Sequence, residues 1–232
     1  MRRTSGLASV VIAAATALVL TAASTVPFLT PQWVAFAQGR ADAQAWTGFA
    51  PADLRAATDA ILTDLVVGPP DFDVAVGGVA VLSEPERAHM RDVRAVFTSF
   101  FAAAVGGLLV VVAAWMLACR GDTWTRPRFW RAVRAGATGL ALGILALGVV
   151  AFAAFDAAFE VFHRVFFSAG TYNFDPRTYR LTQLFPDAFW SETSIVVGSV
   201  ILVTAAVVAL LASRRHGSIE RAPIGRLSEV SR

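Results

Sequence analysis

The chain has 232 residues, 56% of them hydrophobic and only 16% charged, with a mean hydropathy of +0.60. That is more apolar than a soluble domain and points to an integral membrane protein. Its pI is near 9.9 and all 20 basic residues are arginine, but these collect beside hydrophobic stretches, where membrane orientation accounts for them and no nucleic-acid partner is called for.

Read in chain order, residues 1–6 form a short arginine-bearing N-terminus, and 7–29 make the first stretch long enough for the roughly 20 apolar residues that hydrocarbon requires. Arg2-Arg3, this apolar run and the small residues Ala22 to Ser24 also supply the parts of a cleaved signal peptide, and that alternative stays open. In the first long connection, 30–95, the run from Pro51 places Leu54, Ala57, Ile61, Leu62 and Leu65 on one helical face, which predicts an amphipathic helix. Gly68-Pro69-Pro70 ends it, and the alternation of Phe72, Val74, Val76, Val79 and Val81 allows a short strand or hairpin.

Ser83-Glu84-Pro85-Glu86 then reads as a capping box, serine at the N-cap and glutamate three residues on. A helix from there to Ala118 is longer than a bilayer core, so its first turns, with His89, project beyond the second span, 96–118. Residues 119–134 are an arginine-rich loop and 135–155 the third span, whose helix is expected to continue through His163 until Gly170 stops it. Residues 156–193 complete a second long connection, 194–212 the fourth span and 213–232 a tail. Gly106, Gly107, Gly136, Gly139, Gly143 and Gly148 suggest that the second and third spans pack on each other, although alanine- and glycine-rich usage alone also explains them.

Arginines gather before the first span, in 119–134 and after the fourth, whereas the two long connections hold 14 of the 17 carboxylates. The positive-inside rule then puts both termini in the cytoplasm and both long connections outside. The expected fold is an all-α membrane protein of four transmembrane helices with a small extracytoplasmic cap, its medium the bilayer and its state a monomer.

Two of the three histidines, His89 and His163, fall at corresponding helix ends on that outer side. Imidazole exchanges protons near neutral pH, so the pair suggests acid/base chemistry. Glu86 and Asp92 share a helical face with His89, and Asp156 and Glu160 share one with His163; a carboxylate that accepts from one ring nitrogen fixes the tautomer and frees the other nitrogen. Arg91, Arg94 and Arg164 are candidates for an oxyanion or a phosphate, as is Tyr172; their bland role is pairing with Asp92 or lipid phosphate. Phe97, Phe166, Phe167, Phe174 and Trp190 can wall a greasy chamber or simply belong to an aromatic belt. Glu86-x-x-His89 and Glu160-x-x-His163 echo di-iron spacing, but the first span has no complementary carboxylate, so neither metal nor cofactor is expected. The single cysteine, Cys119, lies at the far end of the second span, and no Gly-x-Ser-x-Gly occurs; an acyl-enzyme is therefore disfavoured.

The run Leu82-Ser83-Glu84-Pro85-Glu86-Arg87-Ala88-His89-Met90-Arg91-Asp92-Val93 resembles the Ser-Glu-x-Glu-x-x-His-Met-x-Asp-Val motif of the lipoprotein intramolecular transacylases, a bacterial four-span family. Phe159 to Phe167, followed by Asn173-Phe174-Asp175-Pro176 and Leu184 to Trp190, is similar to that family's second signature, with departures at Asn173, where an aromatic is common, and Tyr179, where an acid is common. The resemblance implies a plasma-membrane enzyme that moves the sn-2 acyl chain of a diacylglyceryl-cysteine lipoprotein onto the cysteine's α-amino group. Its two catalytic histidines carry over onto His89 and His163. Two other readings compete: a non-catalytic membrane module that binds an envelope partner, and a membrane enzyme holding metal on the Glu-x-x-His pairs.

Overall fold

The computed structural model describes residues 2–121, 125–167 and 171–220, with side chains from residue 6 to 216 within those ranges. Gly170 and the tail arginines Arg221, Arg226 and Arg232 lie outside the described residues, as do the side chains of Arg2 and Arg3. In chain order the elements are α1 (Arg2–Thr25), a 3-10 turn (Val26–Leu29), α2 (Pro31–Arg40), α3 (Ala43–Thr47), α4 (Pro51–Val66), β1 (Ala75–Val76), β2 (Val79–Ala80), α5 (Glu84–Arg120), α6 (Thr125–Ala153), α7 (Phe155–Phe166), α8 (Arg180–Leu184) and α9 (Asp187–Glu220). Four helical segments are long and apolar enough to cross a membrane: Gly6–Leu29, Glu84–Arg120, Thr125–Ala153 and Asp187–His216. The protein is an all-α membrane protein with one two-stranded ribbon.

The chain divides into two compact units. One comprises Met1–Thr21, Ala103–Ile144 and Ile201–Arg232. Its core joins Ala118, Phe129, Val133 and Ala212, with Ile12, Ala114 and Val208 packed against them. Here the expectation of glycine-mediated packing between the second and third spans needs correcting. Gly107 and Gly136 both lie against the backbone of α1, at Ala15 and Ala13 respectively, while Gly106, Gly139, Gly143 and Gly148 have open space where a Cβ would stand. Small residues allow close approach, but the helix they admit is α1.

The other unit comprises Ala22–Ala102 and Leu145–Val200 and carries both histidines. Pro31 sits in the first turn of α2, where its missing N–H has no partner to lose, and Thr30 caps that turn by accepting from the Trp33 N–H. α4 buries Ala57, Ile61 and Leu62, as its apolar spacing predicts, and Thr58 as well. Gly77 and Gly78, at φ 59° and 79°, make the left-handed turn of the hairpin, in which Ala75 pairs with Ala80 and Val76 with Val79. Below this turn Phe72, Val74, Val81 and Leu82 join Ile61, Met90, Leu181 and Leu184 in one core.

α5 is 37 residues, about 55 Å at 1.5 Å per residue and longer than a hydrocarbon core of roughly 30 Å. Six of its first twelve residues are charged, a density that hydrocarbon disfavours. The expected continuous third helix is interrupted instead. Ala154 turns the backbone to φ −153°, ψ 62°, and α7 starts afresh at Phe155 and ends at Phe166, with Phe167 already extended. Before the break the sequence is apolar all round; after it, Phe155, Phe159, Phe162 and Phe166 line one face and Asp156, Glu160 and Arg164 the other. An all-round apolar helix suits hydrocarbon and a one-sided one suits an interface, and the two change over at Ala154.

Candidate active site

His89 lies on the second turn of α5, beside Met90, which is held in the core under the hairpin. His163 lies on the last turn of α7, at the boundary between its two faces. Both are buried, at 6% and 9% exposure, and their rings are stacked with centroids 6.2 Å apart and planes 23° from parallel. Two buried imidazoles face to face are the one close pair of proton-exchanging rings among the described residues.

The surrounding wall is aromatic. Phe167 stands 4.8 Å from His89 and 5.5 Å from His163, and Phe174 is 5.5 Å from His89. Phe159, Phe162 and Tyr172 complete the setting of His163 at 4.1, 5.4 and 5.0 Å. Three rings singled out from sequence stand elsewhere. Phe97 packs on Phe101, Phe166 on Phe162, and Trp190 on Phe185 and Phe189.

The histidines' hydrogen bonds differ from those the spacing suggests. His163 Nδ1 lies 2.8 Å from the Phe159 carbonyl oxygen, its partner one turn back, so that Nδ1 donates and Nε2 is left as the acceptor. His89 Nδ1 is buried with no hydrogen-bond partner among the described residues. Among the described residues no carboxylate accepts a hydrogen bond from either ring. Glu86, expected to orient His89, accepts from the Ser83 N–H and hydroxyl and from the Leu181 N–H. Glu160 accepts from Arg164 at 2.9 Å and from the Tyr172 hydroxyl at 3.2 Å. Asp92 and Asp156 are exposed, and Asp92 acts on His89 only through its charge.

The arginines are also committed. Arg91 donates to Glu84 at 2.6 Å. Arg94 donates to the carbonyls of Asp64 and Gly68, satisfying the end of α4 rather than a substrate oxygen. Arg164 pairs with Glu160 on the exposed side. For the Glu-x-x-His metal reading, Glu86 is taken up by protein donors, and among the described residues no three or more His, Cys, Asp or Glu side chains are grouped as a metal ion would need.

Electrostatics follow from burial. Removal from water, reinforced by the neighbouring His163, pushes the His89 imidazole down to about 4, with Asp92 pulling weakly the other way. His89 is therefore uncharged at neutral pH. The Arg164 hydrogen bond holds Glu160 below the usual carboxylate range, and burial raises the Tyr172 phenol.

Sequence reasoning passed over the Phe159 carbonyl, a backbone acceptor invisible in residue types, and α8. That short helix is fixed by Arg180, which donates to the Thr47 carbonyl at 2.6 Å and lies over the Phe49 ring, and by Gln38, which donates to the Leu184 carbonyl at 2.9 Å. Leu184 has no exposed surface, a burial worth about 1.5–3 kcal/mol.

No curated protein sequence matches the chain. Among solved structures it is similar in fold to the in meso structure of the membrane integral lipoprotein intramolecular transacylase Lit from Bacillus cereus, with a TM-score of 0.76 and 16% identity over 95% of this chain and 99% of that one. Structures of the same Bacillus cereus protein with one histidine changed to arginine, or to alanine, give TM-scores of 0.73 and 0.72 at 16% and 17% identity, covering 95% and 94% of this chain and 96% of each of those. The sequence pattern of the lipoprotein intramolecular transacylase Lit family matches residues 9–190, and the chain, an integral membrane protein, belongs to that family of enzymes.

Proposed function

We propose that this enzyme transfers the sn-2 acyl chain of a diacylglyceryl-cysteine lipoprotein to the α-amino group of the same cysteine, with His89 and His163 handling the protons and no acyl-enzyme formed. The observation that carries this is the stacked imidazole pair, 6.2 Å between centroids, within an aromatic wall. The neutral amine attacks the ester carbonyl carbon and loses one N–H proton; the bond from that carbon to the glyceryl oxygen breaks, and the oxygen takes up a proton. Nothing is gained or lost overall. One proton taken up by the pair and handed back is sufficient, and two stacked rings disfavour holding a second. Nε2 of His163 is the acceptor, its tautomer fixed through the Phe159 carbonyl.

The substrate itself holds amine and ester together, but across a flexible, medium-sized ring closure. Fixing that geometry contributes up to about 7–11 kcal/mol in favourable cases. Phe167 and Phe174 restrict water around the pair. Asp92 and Glu160 support the site by charge alone. The arginine distribution supports cytoplasmic termini and a site on the outer face of the plasma membrane.

The test is conversion of a diacylated lipoprotein in cells or liposomes, followed by tandem mass spectrometry of its N-terminal lipopeptide. The N-acyl product is an isomer of the substrate, so fragment ions and not mass identify it. His89→Ala and His163→Ala are each expected to lower conversion by about 100-fold or more, the scale of a positioned acid or base. A wild-type protein that leaves the diacylglyceryl form intact, under conditions where the Bacillus cereus enzyme converts it, overturns the function; a variant with full turnover removes its histidine from the mechanism.

A further inference from the structure

Glu86 is 1% exposed, the most deeply buried acidic side chain among the described residues. No arginine pairs with it there. Three donors converge on it instead: one oxygen accepts from the Ser83 N–H and hydroxyl at 2.7 and 2.6 Å, and the other accepts from the Leu181 N–H at 2.6 Å. A carboxylate taken out of water is costly unless each lone pair is used, and here that arrangement joins two segments 95 positions apart. Leu181 lies in the first turn of α8, after Arg180, and the segment leading into α8 carries the rings that cover the histidines, Tyr172 against His163 and Phe174 against His89. Arg180 and Gln38 attach α8 to other helices of the cap, whereas Glu86 attaches it to α5, one turn before His89.

We infer that Glu86 is a positioning residue that clamps the 172–181 segment over the histidine pair and so decides whether the activated acyl group meets the amine or water. The inference rests on the transacylase reading. In both outcomes the bond between acyl carbon and glyceryl oxygen breaks and that oxygen gains a proton. With the amine, a C–N bond forms and the molecule is isomerised; with water, a C–O bond forms, a free fatty acid leaves, and the lipopeptide is lighter by one chain and keeps its free amine. A closed aromatic cover favours the first.

The experiment incubates the purified full-length protein in detergent with a synthetic diacylglyceryl lipopeptide, and tandem mass spectrometry counts isomerised and deacylated products. Glutamine at position 86 offers one acceptor oxygen and an NH2 that would oppose an N–H, so it can hold Ser83 or Leu181 but not both. Glu86→Gln and Glu86→Ala are expected to raise the ratio of deacylated to isomerised product by about tenfold. Ser83→Ala, which keeps the backbone N–H and leaves the Leu181 link untouched, stays at the wild-type ratio. If Glu86→Ala does not accumulate folded, Glu86→Gln decides. A role in folding alone lowers the yield of active protein with the ratio unchanged, and that result overturns the inference. Wild-type protein that gives no isomer overturns the transacylase reading instead.

Discussion

Gly136 allows a sharp test of how α1 and α6 pack. A Cβ placed there would overlap the Ala13 carbonyl oxygen and stand 2.9 Å from both the carbonyl carbon and the Cα of Ala13, all of them backbone atoms that no rotamer change can move. Overpacking of this kind costs about 1–3 kcal/mol. Alanine recovers up to about 1 kcal/mol through its greater helix propensity, so Gly136→Ala should destabilise by roughly 1–2 kcal/mol net. Gly139, three residues on in the same helix with nothing within 4 Å of the same virtual atom, is the internal control. Its alanine variant keeps the propensity gain and meets no clash. Thermal unfolding in a mild detergent, followed by tryptophan fluorescence or by loss of the folded species, should show Gly136→Ala lower in Tm by about 2–8 °C and Gly139→Ala equal to wild type or slightly higher. Equal Tm for the two variants would mean that α1 does not lie against α6 at this point, and the packing argument would fail.

Two further outcomes follow. His89 in the unfolded chain titrates near its ordinary 6.5 but in the folded protein only near 4, so below pH 6.5 the unfolded state binds the extra proton and stability falls as pH drops, the loss being complete near pH 4. The loss is at most about 3 kcal/mol, reduced where solvent reaches the ring, and Tm measured between pH 7 and pH 4 in wild type and His89→Asn should differ in slope by this contribution; parallel curves refute it. Cys119, the single cysteine, is exposed, and a membrane-impermeant maleimide should leave it unlabelled in intact cells but label Val67→Cys in a Cys119→Ala background. The reverse pattern would invert the proposed orientation.

Much of the fold is legible because its signals are local. Four apolar runs, Pro51 ahead of a one-sided helix, the Gly77-Gly78 turn and the Ser83–Glu86 cap each depend on neighbouring residues alone. The break at Ala154 has no proline or glycine to announce it; it arises because α7 is one-sided and α6 is not, a contrast visible only when the two are compared. The nearness of the two histidines was legible in their matching helix ends, but the hydrogen bonds of this candidate site were not. Spacing says which side chains share a helical face, whereas a buried carboxylate goes to whichever donors lose most by remaining unpaired. For Glu86 these were the N–H groups of Ser83 and Leu181, the latter on a short helix fixed by long-range contacts. Arg94 likewise went to the bare carbonyls at the end of α4.

The interruption at Ala154 also has a mechanical consequence. A rigid rod from the bilayer to His163 would transmit every adjustment of helix tilt to lipid thickness directly into the imidazole, displacing it from its partner by ångströms. With a joint below Phe155, such adjustments are taken up in one residue's dihedral angles, and the ring answers instead to the Phe159 carbonyl and the aromatic side chains around it. One ring of the pair thus answers to its local contacts, while His89 stays on the unbroken helix α5.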